Sequence, residues 1–283
     1  MIGKRIRRAA GVALAAGLML SAAGCDKFKS REEIRSGNDF FKAGKYDTAL
    51  AKYDHALQLD PGETKLYKNI GLAYMGLYQP GSKHPKDVEY AQKAIDNLKK
   101  YQKLHPEDKK APELIVTMYM NAGRTDEALA FFQEYVQKNP GDVKALDTLA
   151  NLYFQKADFP HGVEMMERSM KLTGPKKETY ETIAAQAWDK AHNYPDLAPE
   201  QRQAVVTQGI DAANKALAID PNYGECLAFI NLLYREQAKL ETDNAKAQAD
   251  IAKADEYRNR AMDLMKQKKA AEAAKAAPAA TGK

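Results

Sequence analysis

The 283-residue sequence is poor in cysteine, tryptophan and long apolar runs. Two cysteines, Cys25 and Cys226, cannot build a disulfide framework. Trp188 is the single tryptophan, so the core must be filled by other residues. The apolar run Ala9–Leu20 falls short of the roughly 20 residues that cross a bilayer. A mean hydropathy of −0.59 argues against a polytopic membrane protein. Also missing are a Gly-rich phosphate loop, a GxSxG elbow and an HExxH pair. His55, His84, His105, His161 and His192 are scattered, with no metal-like spacing to another ligand. No enzymatic activity, metal, cofactor or small-molecule substrate is expected from such a chain. The formal charge of +5 is misleading, because Lys4, Arg5, Arg7 and Arg8 contribute +4 before residue 25. From Lys253 to Lys283, eight Lys/Arg stand against four Asp/Glu, which leaves residues 25–252 at about −3. A near-neutral, slightly acidic body does not suit nucleic acid.

What is present begins with an address. Met1–Arg8 is basic, Ala9–Leu20 is apolar and uncharged, and Ser21-Ala22-Ala23-Gly24-Cys25 follows. This is the order of a secretory signal. The small residues before Cys25 resemble a bacterial lipobox, although Ala22 stands where that family most often has Leu. The resemblance implies cleavage after Gly24 and acylation of the Cys25 thiol and amine, palmitate included. Several acyl chains anchor stably where one does not. The expected location is the bacterial cell envelope, lipid-anchored and facing the periplasm; ordinary secretion with a coincidental Cys25 is the other reading.

The rest of the chain is periodic. The steps Asp60-Pro61, His105-Pro106, Asn139-Pro140, Gly174-Pro175 and Asp220-Pro221 are spaced 45, 34, 35 and 46 residues apart. Each closes an apolar-periodic run, and proline drives the preceding residue out of the α region, so each step ends a helix. Within the periods, Gly37, Phe40, Gly44, Tyr46, Ala49, Tyr53, Ala56 and Pro61 are echoed by Tyr119, Gly123, Ala128, Phe132 and Pro140. They are echoed again by Leu146, Leu149, Ala150, Tyr153, Met166 and Gly174. This pattern resembles the tetratricopeptide repeat (TPR), two antiparallel helices per unit of about 34 residues. The resemblance implies an all-α TPR solenoid, a right-handed superhelix of about six repeats. Gly37, Gly71, Ala150 and Ala184 are expected to let paired helices approach, and Tyr74, Tyr119 and Tyr153 to fill the gaps between repeats. Gly44 and Gly123 are expected in positive-φ turns.

The organisation predicted is a signal at 1–24, a tether at 25–29, repeats over 30–262 and a Lys/Ala-rich tail at 263–283. Helices are predicted at 31–43, 46–59, 63–78, 86–104, 109–122, 125–138, 142–156, 159–172, 176–191, 200–219, 223–240 and 243–274. The two long periods place insertions of about 11 and 12 residues around 78–87 and 192–200; about three added helical turns preserve the buried face, and two prolines in each force a bend or loop as well. They serve either as a binding edge or as tolerated surface length. Cys226, beside Leu227 and Ile230, reads as a small core residue, and Trp188 either faces the groove or fills the widened repeat.

The resemblance puts function on the groove lined by the first helix of each pair, where TPR proteins commonly take protein segments. Asn38 and Asn69 match the two Asn positions of a carboxylate-binding subfamily and Lys110 matches one Lys, whereas Ile34 and Leu114 replace its other cations. Losing two cations removes much of the charge-assisted hold on a carboxylate. The wider groove set is Asn38, Lys68, Asn69, Lys110, Glu113, Lys144, Asp147, Asn151 and Glu181, with Lys65 and Glu178 beside it. Its mixed charge suits a protein segment better than a polyanion, and is also what a solvated helix face carries. The expected role is a non-enzymatic scaffold that holds a protein partner at the envelope, in assembly or secretion machinery. The alternative is a lipoprotein that binds a cell-wall polymer, helped by the Lys/Ala tail.

Overall fold

The computed structural model describes residues 25–276; the signal assigned to 1–24 and the end of the tail, 277–283, lie outside the described residues. Among the described residues there are twelve helices and no strand. They are α1 (25–42), α2 (Tyr46–Leu59), α3 (Leu66–Leu77), α4 (Pro85–Leu104), α5 (Ala111–Asn121), α6 (Thr125–Lys138), α7 (Val143–Gln155), α8 (Phe159–Thr173), α9 (Lys177–Asn193), α10 (Pro199–Ile219), α11 (Gly224–Leu240) and α12 (Asn244–Ala276). The proline steps end helices as expected, and from α2 onward the bounds agree with the sequence reading to within three residues. The first helix begins earlier: residues 25–29, read above as a tether, already lie in α1. No Gly or Pro interrupts 25–36, and the Ser30 hydroxyl pins this turn by donating to the buried Ala56 carbonyl at 2.9 Å. No described helix is long and apolar enough to cross a membrane.

The described residues form two compact units that divide between Phe132 and Gln133, inside α6. In the first unit, α1 runs antiparallel to α2, and α3 to α4. Ala49, Leu50, Tyr53, Ala56, Leu66, Ile70 and Ala73 make one apolar core, flanked by Ile34, Phe40, Phe41 and Tyr46. The approach of the pairs depends on missing side chains. A Cβ at Gly37 would lie 2.6 Å from the Tyr53 ring, and one at Gly71 would lie 2.7 Å from Leu98 Cγ. Tyr119 is buried between the Lys99 ammonium, 5.2 Å from its ring centre, and Phe131, so it does bridge neighbouring pairs. Tyr74 instead packs on Tyr90 and Lys93 of its own partner helix.

The second unit repeats the scheme with α7/α8, α9/α10 and α11/α12. Gly209 sits against Ala187 and Leu233, where a Cβ would come within 2.5 Å of Ala187 Cβ. Tyr153 stacks on His161 and accepts a hydrogen bond from Gln133 of α6 at 2.8 Å, again linking successive pairs. The last pair is held by Tyr234 stacked on Tyr257, Arg235 on Asp255 at 2.6 Å, and Gln237 donating to Asp250 at 3.1 Å. Helix α12 passes the 262 boundary and reaches Ala276, in keeping with its strong helix formers Ala, Lys and Glu.

Three turns within pairs close in the same way. Lys45, Arg124 and Asp158 each donate a backbone bond to the carbonyl five residues earlier, at 2.8–2.9 Å. This Schellman geometry needs a left-handed residue just before the donor. Gly44 (φ 71°) and Gly123 (φ 69°) supply it as expected, whereas the third turn uses Ala157 (φ 57°). The two insertions resolve mostly into helix. Loops Tyr78–His84 and Tyr194–Ala198 are short, while α4, α9 and α10 have 20, 17 and 21 residues against 11 to 15 in α5–α8. Pro85 and Pro199 do not bend these segments; each is the first residue of its helix, where a missing N–H costs nothing.

Candidate binding face on the first helix of each pair

In the first unit the expected Asn pair comes together. Asn38 on α1 accepts from the Tyr53 hydroxyl at 2.8 Å, and from Asn69 Nδ2 on α3 at 3.3 Å, both at Oδ1. The Asn38 Nδ2 and the Asn69 Oδ1 make no hydrogen bond among the described residues. Lys110, just before α5, is exposed, and Glu113 on α5 is half-buried.

Lys68 is placed differently from the rest of the expected set. Its Nζ lies 2.7 Å from Asp108 Oδ2 and 5.4 Å from the Tyr101 ring centre. Asp108 also accepts from the Tyr101 hydroxyl at 2.9 Å and from the Lys110 backbone N–H at 2.9 Å. The Lys68 bond, with those two donors, holds the Asp108 carboxyl down at about 2. Burial, and then the bond to Asp108, push the Tyr101 phenol up to about 12. His105 stacks on Tyr101 with centroids 4.6 Å apart and lies 2.9 Å from Thr64 Oγ1. Lys68 therefore ties α3 to the α4–α5 loop. The residues of this knot, Tyr101, His105 and Asp108, were not singled out from sequence; a Tyr seven residues before an Asp across a proline step was the available signal.

In the second unit α7 carries Lys144 and Asn151, both exposed, and the half-buried Asp147. On α9, burial raises the Glu181 carboxyl, and the nearby Glu225 and Glu178 raise it further. Glu225, on α11, was not foreseen. Lys177 could offset these acids, but it is paired with Asp220 at 2.6 Å and sits 4.6 Å from the Tyr223 ring centre. Trp188 is half-buried, stacked on His192 at 5.1 Å and tilted against Phe229. His192 in turn meets the buried Glu236 at 2.8 Å, which Lys239 also holds at 2.7 Å. Cys226 is fully buried, and burial pushes its thiol up to about 12, as suits a core residue. Cys25 is exposed. Among the described residues no three His, Cys, Asp or Glu side chains are grouped to hold a metal ion.

Comparison with known proteins supports the repeat reading. A TPR repeat family profile matches residues 37–77, and a tetratricopeptide repeat profile matches 87–143. The TPR repeat-containing protein YpiA of Bacillus subtilis is 24% identical over 156 residues, which is 54% of this chain and 33% of that protein. The human tetratricopeptide repeat protein 28 is 27% identical over 164 residues, 56% of this chain and 5% of that protein. The matches thus span a third or less of these relatives. Among solved structures, YrrB, a TPR protein with an unusual peptide-binding site, is 17% identical with a TM-score of 0.43, covering 69% of this chain and 88% of its own. A tetratricopeptide repeat protein from Parabacteroides merdae is 16% identical with a TM-score of 0.46, covering 84% and 98%. Residues 37–77 and 87–143 thus match tetratricopeptide repeats, within a fold whose described residues are all-α.

Proposed function

We propose that the mature chain is a non-enzymatic adaptor that holds a protein segment against the first helices of its repeats, tethered to the envelope membrane by acyl chains on Cys25. The observation that carries the binding role is the unspent amide chemistry of the Asn38–Asn69 pair. An amide donor and an amide acceptor that make no hydrogen bond among the described residues, with exposed Lys110 just before α5, suit a peptide backbone or a chain-terminal carboxylate. The signal-like residues before Cys25 and its exposure support the anchor. Facing the periplasm, such an adaptor serves an assembly or secretion machine.

The test is in-cell cross-linking of the tagged protein with mass spectrometry of what it captures. An Asn69→Ala/Lys110→Glu variant and a Cys25→Ala variant run beside it. One partner set, lost in the first variant, supports the adaptor. Cross-links only to wall-associated proteins, unchanged by that variant, would refute it. They would favour binding to a cell-wall polymer instead, and deleting 266–283 should then weaken sedimentation with purified wall material. Full membrane retention of Cys25→Ala would remove the lipid anchor.

A further inference from the structure

A cavity lies in the second unit where the α7–α8 turn meets the second insertion. It is open, measures about 450 Å³ and is walled by Ala157 and Phe159 of that turn, Leu197 of the Tyr194–Ala198 loop, and Val205 of α10. Its size falls within the roughly 300–1,000 Å³ of pockets that bury ligands. The loop wall is fixed: the Arg202 guanidinium donates to the carbonyls of Ala191, Tyr194 (2.8 Å) and Pro195 (3.1 Å). The extra residues of the insertion therefore build one side of the cavity.

The polar groups around this apolar floor are not neutral. Lys156 and Lys190 both border it. The Lys190 ammonium sits 4.3 Å from the Tyr194 ring centre and has no carboxylate partner among the described residues. The one acid on the wall, Asp158, is already engaged, with Oδ2 2.7 Å from His161 Nδ1 and Oδ1 accepting the His161 N–H at 3.4 Å. Helix α10 begins at this wall with no side-chain cap, so its N-terminal N–H groups add positive potential, partly offset by Glu200. Gln201 and Gln208 line the cavity seven residues apart on α10. That is about 10 Å along the helix axis, the length of about three residues of extended chain. Finally, Ala157 holds a left-handed backbone where the two corresponding turns use Gly. The side chain is kept there at a conformational cost.

We propose that this cavity binds an extended segment of a partner protein that presents a large apolar side chain flanked by acidic residues. The apolar side chain fills the space over Phe159, Leu197 and Val205. Gln201 and Gln208 pair with the segment's main chain, and the acids face Lys190. Nothing in this reading requires the Asn38–Asn69 face, so the two fail independently.

The test uses the soluble chain from residue 25 with Cys25→Ser and methyl-labelled Ala, Leu and Val. Three capped peptides serve as NMR probes: Glu-Leu-Phe-Glu, Lys-Leu-Phe-Lys and Glu-Ser-Ser-Glu. The expected result is saturable shifts of the Ala157, Leu197 and Val205 methyls with the first peptide. The second should bind at least tenfold more weakly and the third not at all. Lys190→Glu should reverse the order of the first two while leaving the helical circular dichroism unchanged. Absence of saturable shifts at these methyls, equal binding of the two charged Leu-Phe peptides, or an order that survives Lys190→Glu would each overturn the proposal. Retention of peptide binding in Asn69→Ala/Lys110→Glu separates this site from the first-helix face.

Discussion

Asp108→Asn removes the charge on which three donors converge while keeping the side chain's size. Its carboxyl is held at about 2 against an ordinary 3.8. That difference corresponds to roughly 2.5 kcal/mol of preference for the charged form at 1.36 kcal/mol per unit. The Lys68 and Asp108 side chains retain 27% and 19% exposure, so screening reduces the net contribution to about 1–2 kcal/mol. Because the folded value lies below the unfolded one, this stabilisation is complete above about pH 4 and is lost as pH falls from about 4 to 2. Urea denaturation followed by circular dichroism should show Asp108→Asn about 1–2 kcal/mol less stable than wild type at pH 7. The gap should close on going from pH 4 to 2. A double-mutant cycle with Lys68→Met should return a coupling of about 1 kcal/mol, because the two groups touch. Equal stability at pH 7, a gap that persists at pH 2, or zero coupling would refute the assignment of Asp108 as the knot between α3 and the α4–α5 loop.

Ala157→Gly should raise stability by about 0.5–1 kcal/mol, the left-handed penalty of about 1–2 less the added chain entropy of Gly; a fall in the urea midpoint would contradict the strain. Gly71→Ala should cost about 1–3 kcal/mol, because its Cβ would meet Leu98 Cγ at 2.7 Å. Shortening the neighbour with Leu98→Val should recover part of that loss, and a neutral Gly71→Ala would mean the helices separate freely. Cys226, with its thiol at about 12 and no exposure, should resist Ellman's reagent in native Cys25→Ser protein and react only on unfolding; prompt labelling would show the α11 core opening.

The helix ends were legible because prolines and positive-φ glycines act locally. Pro61, Pro106, Pro140, Pro175 and Pro221 each mark the end of a helix whatever surrounds them, and Gly44 and Gly123 mark turns for a similar reason. The insertions were legible too, as longer helices after a short loop, and Pro85 and Pro199 add only that a proline fits the first helical position. The core assignment of Cys226 followed from its apolar neighbours on one helix. The groove was harder to read. Lys68 shares helix periodicity with Asn69, yet its partner Asp108 lies 40 residues away, beyond any i,i+4 rule. Ala157 gives no signal in the sequence, because a left-handed turn position is ordinarily marked by Gly.

A common device underlies the junctions between pairs. In the first unit Tyr101 donates to Asp108, and in the second Tyr135 donates to Asp142, each across seven residues and a proline step. In both, the other carboxylate oxygen accepts a backbone N–H that opens the next helix, from Lys110 or Ala145. At the Asp60 and Asp220 steps the acid before the proline instead accepts a loop N–H two residues on, from Gly62 or Asn222. The loop acids thus satisfy backbone donors between the helices, and Lys68 and Lys177 are drawn in as counterions of Asp108 and Asp220. These cations belong to the scaffold, so reversing Lys68 would loosen a junction and mimic loss of a partner without testing one. Lys110 makes its junction contact through the backbone alone, and Asn69 contributes a single 3.3 Å bond to Asn38 rather than a counterion. A partner lost in their variants at unchanged helicity reports on binding, whereas the same loss in Lys68→Glu reports on the fold.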